Sequence, residues 1–154
     1  MSSNKATTIV RTESSDPDFP LLVALLNLEL RERYGEAQAI YDTFNAISNL
    51  DTVVIAYVND VPSGCGCFKK FDYKTAEIKR MFVKPAERGI GLASGILNEL
   101  EVWAKEDGFT DVILETAYKQ HEAIAFYKKQ GYQTIPNYGP YVGMDTSVCF
   151  GKKL

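Results

Sequence analysis

The chain has 154 residues, 45% of them hydrophobic and 24% charged, a mixture that suits one soluble domain built around one core. With 17 basic against 20 acidic residues the net charge is −3, and no stretch concentrates lysine and arginine as a nucleic-acid-binding stripe would. No apolar run reaches the roughly 18–20 residues that span a bilayer, and residues 1–10 lack the charged start and apolar stretch of a secretory leader, so the cytoplasm is the expected location.

In chain order, Thr7–Thr12 reads as a short strand. Asp16-Pro17 is a helix start, after which Leu22, Leu25, Leu26 and Leu30 recur at helical spacing up to Tyr34-Gly35. A second helical stretch is predicted over residues 37–47, where Ile40, Phe44 and Ile47 share a face. The texture then turns to strands. Residues 53–58 are rich in β-branched side chains and stop at Asn59-Asp60, a turn signal; residues 63–68 and 75–83 follow as further strands, making an antiparallel meander that Pro85 ends.

The strongest helix covers residues 92–104, with Ala93, Ile96, Leu97, Leu100, Trp103 and Ala104 on one face and Asp107-Gly108 as its close. Residues 112–115 form an apolar strand, 122–130 a short helix stopped by Gly131, and 132–154 two strands around an irregular segment. The order β-α-α-β-β-β-α-β-α-β-β predicts an α/β domain with a mixed, mostly antiparallel sheet over residues 7–154, preceded by a six-residue extension. The strands on either side of the long helix should run parallel.

Three cysteines, Cys65, Cys67 and Cys149, with one histidine, make a poor zinc set, since paired ligands usually stand two to four residues apart. Buried free thiols are expected, no metal, and no disulfide framework from an odd count.

Between strand and long helix lies Arg88-Gly89-Ile90-Gly91-Leu92-Ala93. Its glycines let the backbone turn sharply and approach a ligand closely. The amides of the following helical turn lack intrahelical acceptors and, with the helix dipole, form an anion site to which Arg88 adds a charge. A dinucleotide fold also places glycines here, with Gly95 and a downstream acid, Glu115, in its favour, but it requires an essentially parallel sheet. A tight turn without a ligand is a third reading.

Arg88, Gly91 and Ala93 satisfy the pattern Arg/Gln-x-x-Gly-x-Gly/Ala, after a strand ending Phe82-Val83-Lys84-Pro85. Downstream, Gln120-x-x-Ala123-x-x-x-Tyr127-x-x-x-Gly131-Tyr132 follows a second pattern, with Gln120 for asparagine and Tyr132 for phenylalanine. Together these resemble the GCN5-related N-acetyltransferases, the GNAT family, most specifically over residues 53–132. The resemblance implies transfer of an acetyl group from acetyl-CoA to an amine without a metal, in a fold whose central parallel strands splay.

It further implies that Met81, Phe82 and Val83 line pantetheine, and that Arg88, Gly89, Ile90, Gly91, Leu92, Ala93 and Ser94 grip the pyrophosphate. Gln120, Ala123 and Phe126 would border the cofactor, although Phe126 reads equally as helix packing. Tyr127 would lie beside the leaving sulfur. Glu77 looks like the family's general base, with a solvated strand carboxylate beside Lys79 and Arg80 as the competing reading. Acceptor contacts would come from Tyr34, Tyr41 and Phe44 on one side and Tyr138 and Tyr141 on the other. The expected acceptor is a small-molecule amine or a peptide, and homodimers are common in the family. A non-catalytic acyl-CoA sensor would need the loop but neither Tyr127 nor Glu77.

Overall fold

The computed structural model describes residues 5–35 and 49–154. The order is β1 (Thr7–Thr12), α1 (Asp18–Tyr34), β2 (Val53–Val58), β3 (Val61–Lys70), β4 (Thr75–Val83), a 3-10 turn (Pro85–Glu87), α2 (Leu92–Glu106), β5 (Asp111–Ala117), α3 (His121–Lys129), β6 (Gln133–Ile135), a 3-10 turn (Gly139–Tyr141) and β7 (Ser147–Lys153). The helix expected over residues 37–47 lies outside the described residues. The seven strands hydrogen-bond in the order β1-β2-β3-β4-β5-β7-β6. The β4–β5 pair is parallel, as expected from the helix between them. The described residues fall into two compact units: those up to Lys69 together with Lys79–Leu100, and Lys70–Ile78 together with Glu101–Leu154.

In the first unit, β2 and β3 turn at Asn59 and Asp60, both left-handed (φ 50° and 66°), the backbone a tight hairpin demands. Strand β3 alternates Gly64, Cys65, Gly66, Cys67. Its cysteines belong to a buried cluster with Phe19, Leu22 and Leu26 of α1. Its glycines point the other way: a Cβ on Gly66 would come within 2.9 Å of Leu100 Cδ1, and one on Gly64 within 3.0 Å of Ile96 Cδ1. The period of two thus gives α1 a packed face, and α2 a flat one that it can approach closely. Asp16 does the capping expected of it, one residue outside Pro17: its Oδ1 accepts the Asp18 N–H at 3.0 Å.

Strand β4 carries Arg80 at φ 58°, a conformation that costs a non-glycine residue on the order of 1–3 kcal/mol and bends a strand. The carbonyls around it have partners. The Cys67 thiol donates to Lys79 O at 3.2 Å and the Cys65 thiol to Arg80 O at 3.4 Å, while the Arg80 guanidinium donates to Asn27 Oδ1 at 2.7 Å. All three cysteines are buried and outside any disulfide, and burial pushes the Cys65 thiol up to about 12 despite the nearby Arg80 charge.

In the second unit, β4 and β5 pair over Thr75↔Asp111, Ala76↔Val112 and Glu77↔Ile113. The ladder covers these three pairs, in strands that end at Val83 (β4) and Ala117 (β5). Strand β7 pairs antiparallel with β5 and β6. Helix α3 ends in a Schellman closure: Gly131 turns left-handed at φ 93°, its N–H reaching Lys128 O and the Tyr132 N–H reaching Tyr127 O at 3.0 Å. The Tyr132 ring folds back on Tyr127, centroids 5.8 Å apart, and its hydroxyl donates to Glu101 Oε2 at 2.7 Å.

Candidate active site

The glycine loop has the geometry its sequence requires. Gly89 and Gly91 both sit at φ 87°, a region closed to most side chains. A Cβ at either would meet nothing within 4 Å, so the freedom serves the turn and leaves open space beside it. The first bond of α2 runs from Gly95 N–H to Gly91 O at 3.1 Å, and the amides of Leu92 and Ala93 precede it, without acceptors inside the helix. Gly95 has another purpose. A Cβ there would lie 2.6 Å from Ile9 Cδ1, so it seats α2 on β1, and with one parallel pair in the sheet the dinucleotide arrangement fails.

Arg88 departs from its expected use. Its Nε donates to Val83 O at 2.9 Å and its Nη2 to both oxygens of Glu29, at 2.8 and 3.1 Å, with the guanidinium 6.0 Å from the Phe82 ring centroid. The cation expected to face the loop is thus matched by a carboxylate from α1, and what the loop offers an anion is chiefly backbone N–H. Phe82 is buried in the α1 cluster. Met81 lies on the Gly66 side, its Sδ 2.5 Å from where a Cβ there would stand.

Glu77 is buried, 4% exposed, which excludes a solvated strand carboxylate. Its Oε2 accepts the Tyr138 hydroxyl at 2.7 Å. The Tyr138 ring stands edge-on to Phe71 at 5.2 Å and to Tyr141 at 5.6 Å, and Tyr141 is 1% exposed, so it backs Tyr138. Burial, then the Glu77 charge, drive the Tyr138 phenol far above its ordinary range, leaving a permanent neutral donor. Two expected site residues from distant stretches, Glu77 and Tyr138, are therefore in direct contact.

Register places more carboxylate on this face. Glu77 pairs with Ile113, two residues before Glu115, which pairs with Cys149 and accepts the Ser147 hydroxyl at 2.6 Å. Side chains of Glu77, Glu115 and Cys149 thus leave one side of the sheet.

Tyr127 occupies the other side, its ring 6.2 Å from that of Phe150, the alternate neighbour of Cys149. At 7% exposure it is buried; burial first and the Glu115 charge second raise its phenol well beyond the usual range. Half-buried Phe126 meets its ring edge-on at 5.2 Å. Ala123 lies one turn before it, and Gln120 opens the helix, its carbonyl accepting the Ile124 N–H at 3.0 Å. Tyr34 ends α1 half-buried; Tyr41 and Phe44 lie outside the described residues.

Sequence reasoning missed Asn137, whose Nδ2 donates to the carbonyls of Tyr141, Met144 and Ser147 at 3.1, 3.1 and 3.3 Å and so folds the loop carrying Tyr138. An asparagine before Tyr-Gly-Pro is a turn signal that could have flagged it. Glu29, Ser147 and the Arg80 and Lys79 carbonyls that accept from the Cys65 and Cys67 thiols had no local signal. Among the described residues no group of three or more His, Cys, Asp or Glu could hold a metal, and no helix is long and apolar enough to cross a membrane.

The model of the acetyltransferase (GNAT) family matches residues 19–132, and the chain belongs to that family. It is similar to an "IAA acetyltransferase" of Azospirillum brasilense, 39% identical over 77 residues that make up 50% of each chain. It spans about half the length of the curated relatives it matches.

Among solved structures it resembles a provisionally assigned acyl-CoA N-acyltransferase of Klebsiella pneumoniae, at 28% identity and a TM-score of 0.76 over 98% of both chains. It shares its fold with a GNAT family acetyltransferase of Elizabethkingia anophelis solved with acetyl-CoA bound, at 16% identity, TM-score 0.70, over 96% of this chain and 98% of that one.

Proposed function

We propose that this protein is an acetyl-CoA-dependent N-acetyltransferase acting in the cytoplasm on a primary amine of a small molecule, with residues 7–154 as the catalytic domain. The observation that carries the reading is the Arg88–Leu92 loop, whose left-handed glycines open beside the first amides of α2. Backbone N–H groups so arranged suit a diphosphate, and coenzyme A carries one. Gly89 to Ser94 would hold it, Met81 and Val83 would pair with pantetheine along the end of β4, and Gln120, Ala123 and Phe126 would border it.

In the reaction the amine nitrogen attacks the thioester carbonyl carbon, a C–N bond forms, and the C–S bond breaks with its electrons leaving on sulfur. An alkyl amine of pKa ~10.4 arrives protonated at pH 7, so a proton must be removed first, and Glu77 is the assigned acceptor. The departing sulfur, an acid of pKa ~8.5 in the free thiol, is assigned to Tyr127. A phenol raised by burial is a weak proton source but a dependable hydrogen-bond donor to developing negative charge. Tyr34 and Tyr138 are the described residues assigned to the acceptor side, whereas Tyr141, 1% exposed, is left to packing behind Tyr138.

The test is thiol release from acetyl-CoA across a panel of amines. Release that depends on one class of amine supports the enzyme; binding of acetyl-CoA without release from any amine favours a sensor. With the acceptor in hand, Tyr127→Phe is expected to lower kcat by about 10- to 100-fold, the worth of one hydrogen bond to a charged group, with acetyl-CoA affinity kept, measured by steady-state kinetics. An unchanged kcat would remove Tyr127 from the chemistry.

A further inference from the structure

We propose that Tyr138 is a positioning residue for Glu77, its hydroxyl bond to Oε2 holding the carboxylate in the rotamer that takes the acceptor's proton. The inference rests on Glu77 being the base. A carboxylate that takes a proton from a bound amine must hold one rotamer, because a proton passes only over hydrogen-bond distance. Glu77 emerges from a buried strand, and the 2.7 Å bond from Tyr138 fixes one oxygen.

The donor is itself immobilised. Phe71 and Tyr141 meet its ring edge-on, and the Asn137 side chain ties down three carbonyls of the same loop. Little conformational freedom remains for Tyr138 to lose, so its bond to the carboxylate acts as a strut. The role differs from contact with the acceptor: a pocket wall would act on the acceptor's KM, whereas a strut acts on kcat through Glu77.

The test is a double-mutant cycle on the full chain with the amine found above. Tyr138→Phe keeps the ring and removes the O–H. It is expected to lower kcat by about ten- to a hundredfold and leave the KM of acetyl-CoA unchanged. In a Glu77→Gln background the same change should have no further effect on kcat, because the group it acts through is gone. Equal losses in both backgrounds, or no loss in either, would overturn the proposal while leaving Glu77 as base.

A Glu77→Gln enzyme with undiminished kcat would overturn both assignments. Tyr138→Leu, which also disturbs the ring packing, should match Tyr138→Phe in kcat although it melts earlier. A kcat that instead follows melting temperature across the two variants assigns Tyr138 to packing and overturns the strut.

Discussion

Glu77→Gln is expected to reduce kcat by about 10²- to 10³-fold while the affinity for acetyl-CoA stays within twofold of the parent. The magnitude is that of a lost general base, typically ~10²–10⁴-fold. The amide has the size of the carboxylate and still accepts the Tyr138 hydroxyl, so packing is undisturbed. The melting temperature of the variant checks that the fold is kept. The decisive control uses the acceptor. An amine whose own pKa lies near 7 arrives largely neutral and needs less help, so the deficit of the variant should shrink with it. A deficit independent of amine pKa would locate the defect elsewhere, and full activity would transfer deprotonation to water.

The second large effect belongs to the loop. Gly91→Glu is expected to weaken acetyl-CoA binding by about 100-fold or more, equivalent to about 2.7 kcal/mol, in a protein that still folds. At φ 87° a side chain costs roughly 1–2 kcal/mol, but its Cβ would meet no protein atom within 4 Å, so there is no core clash. The new carboxylate would sit at the N-terminus of α2, which favours negative charge, and compete there with the diphosphate. Gly91→Ala separates the two effects: it carries the strain without the charge and should cost about tenfold. Titration calorimetry measures both, and the ligand-free melting temperature checks the fold. Affinity unchanged in the glutamate variant would remove the loop from the cofactor site.

What was legible in the sequence was what local chemistry decides. Asn59-Asp60 announced a hairpin because two left-handed residues in a row leave few alternatives, and Gly131 announced the end of α3 for a similar reason. The Cys-Gly alternation of β3 followed from the period of two, and the parallel pair from the helix between its strands. The side-chain contacts that define the site did not follow. Glu29 is 59 residues from Arg88 and Glu77 is 61 from Tyr138, and no periodicity or capping rule connects such positions. Arg88 was therefore expected to serve the loop, whereas the fold gives it a carboxylate from α1. Glu77 read as the base with a solvated carboxylate as the competing reading, because an acid next to Lys79 and Arg80 on a strand gives no hint that one residue turns left-handed and that the acid itself is buried.

The end of α3 has a consequence for anyone recombining this segment with that of a relative. The bond from Tyr132 N–H to Tyr127 O, with the ring of one stacked edgewise on the other, makes the location of the phenol a property of what comes after the helix. A chimera joined between residues 128 and 131 would retain the tyrosine in its alignment column and lose its address. Crossover points are better chosen beyond Tyr132, so that helix, glycine and aromatic clasp travel as one cassette.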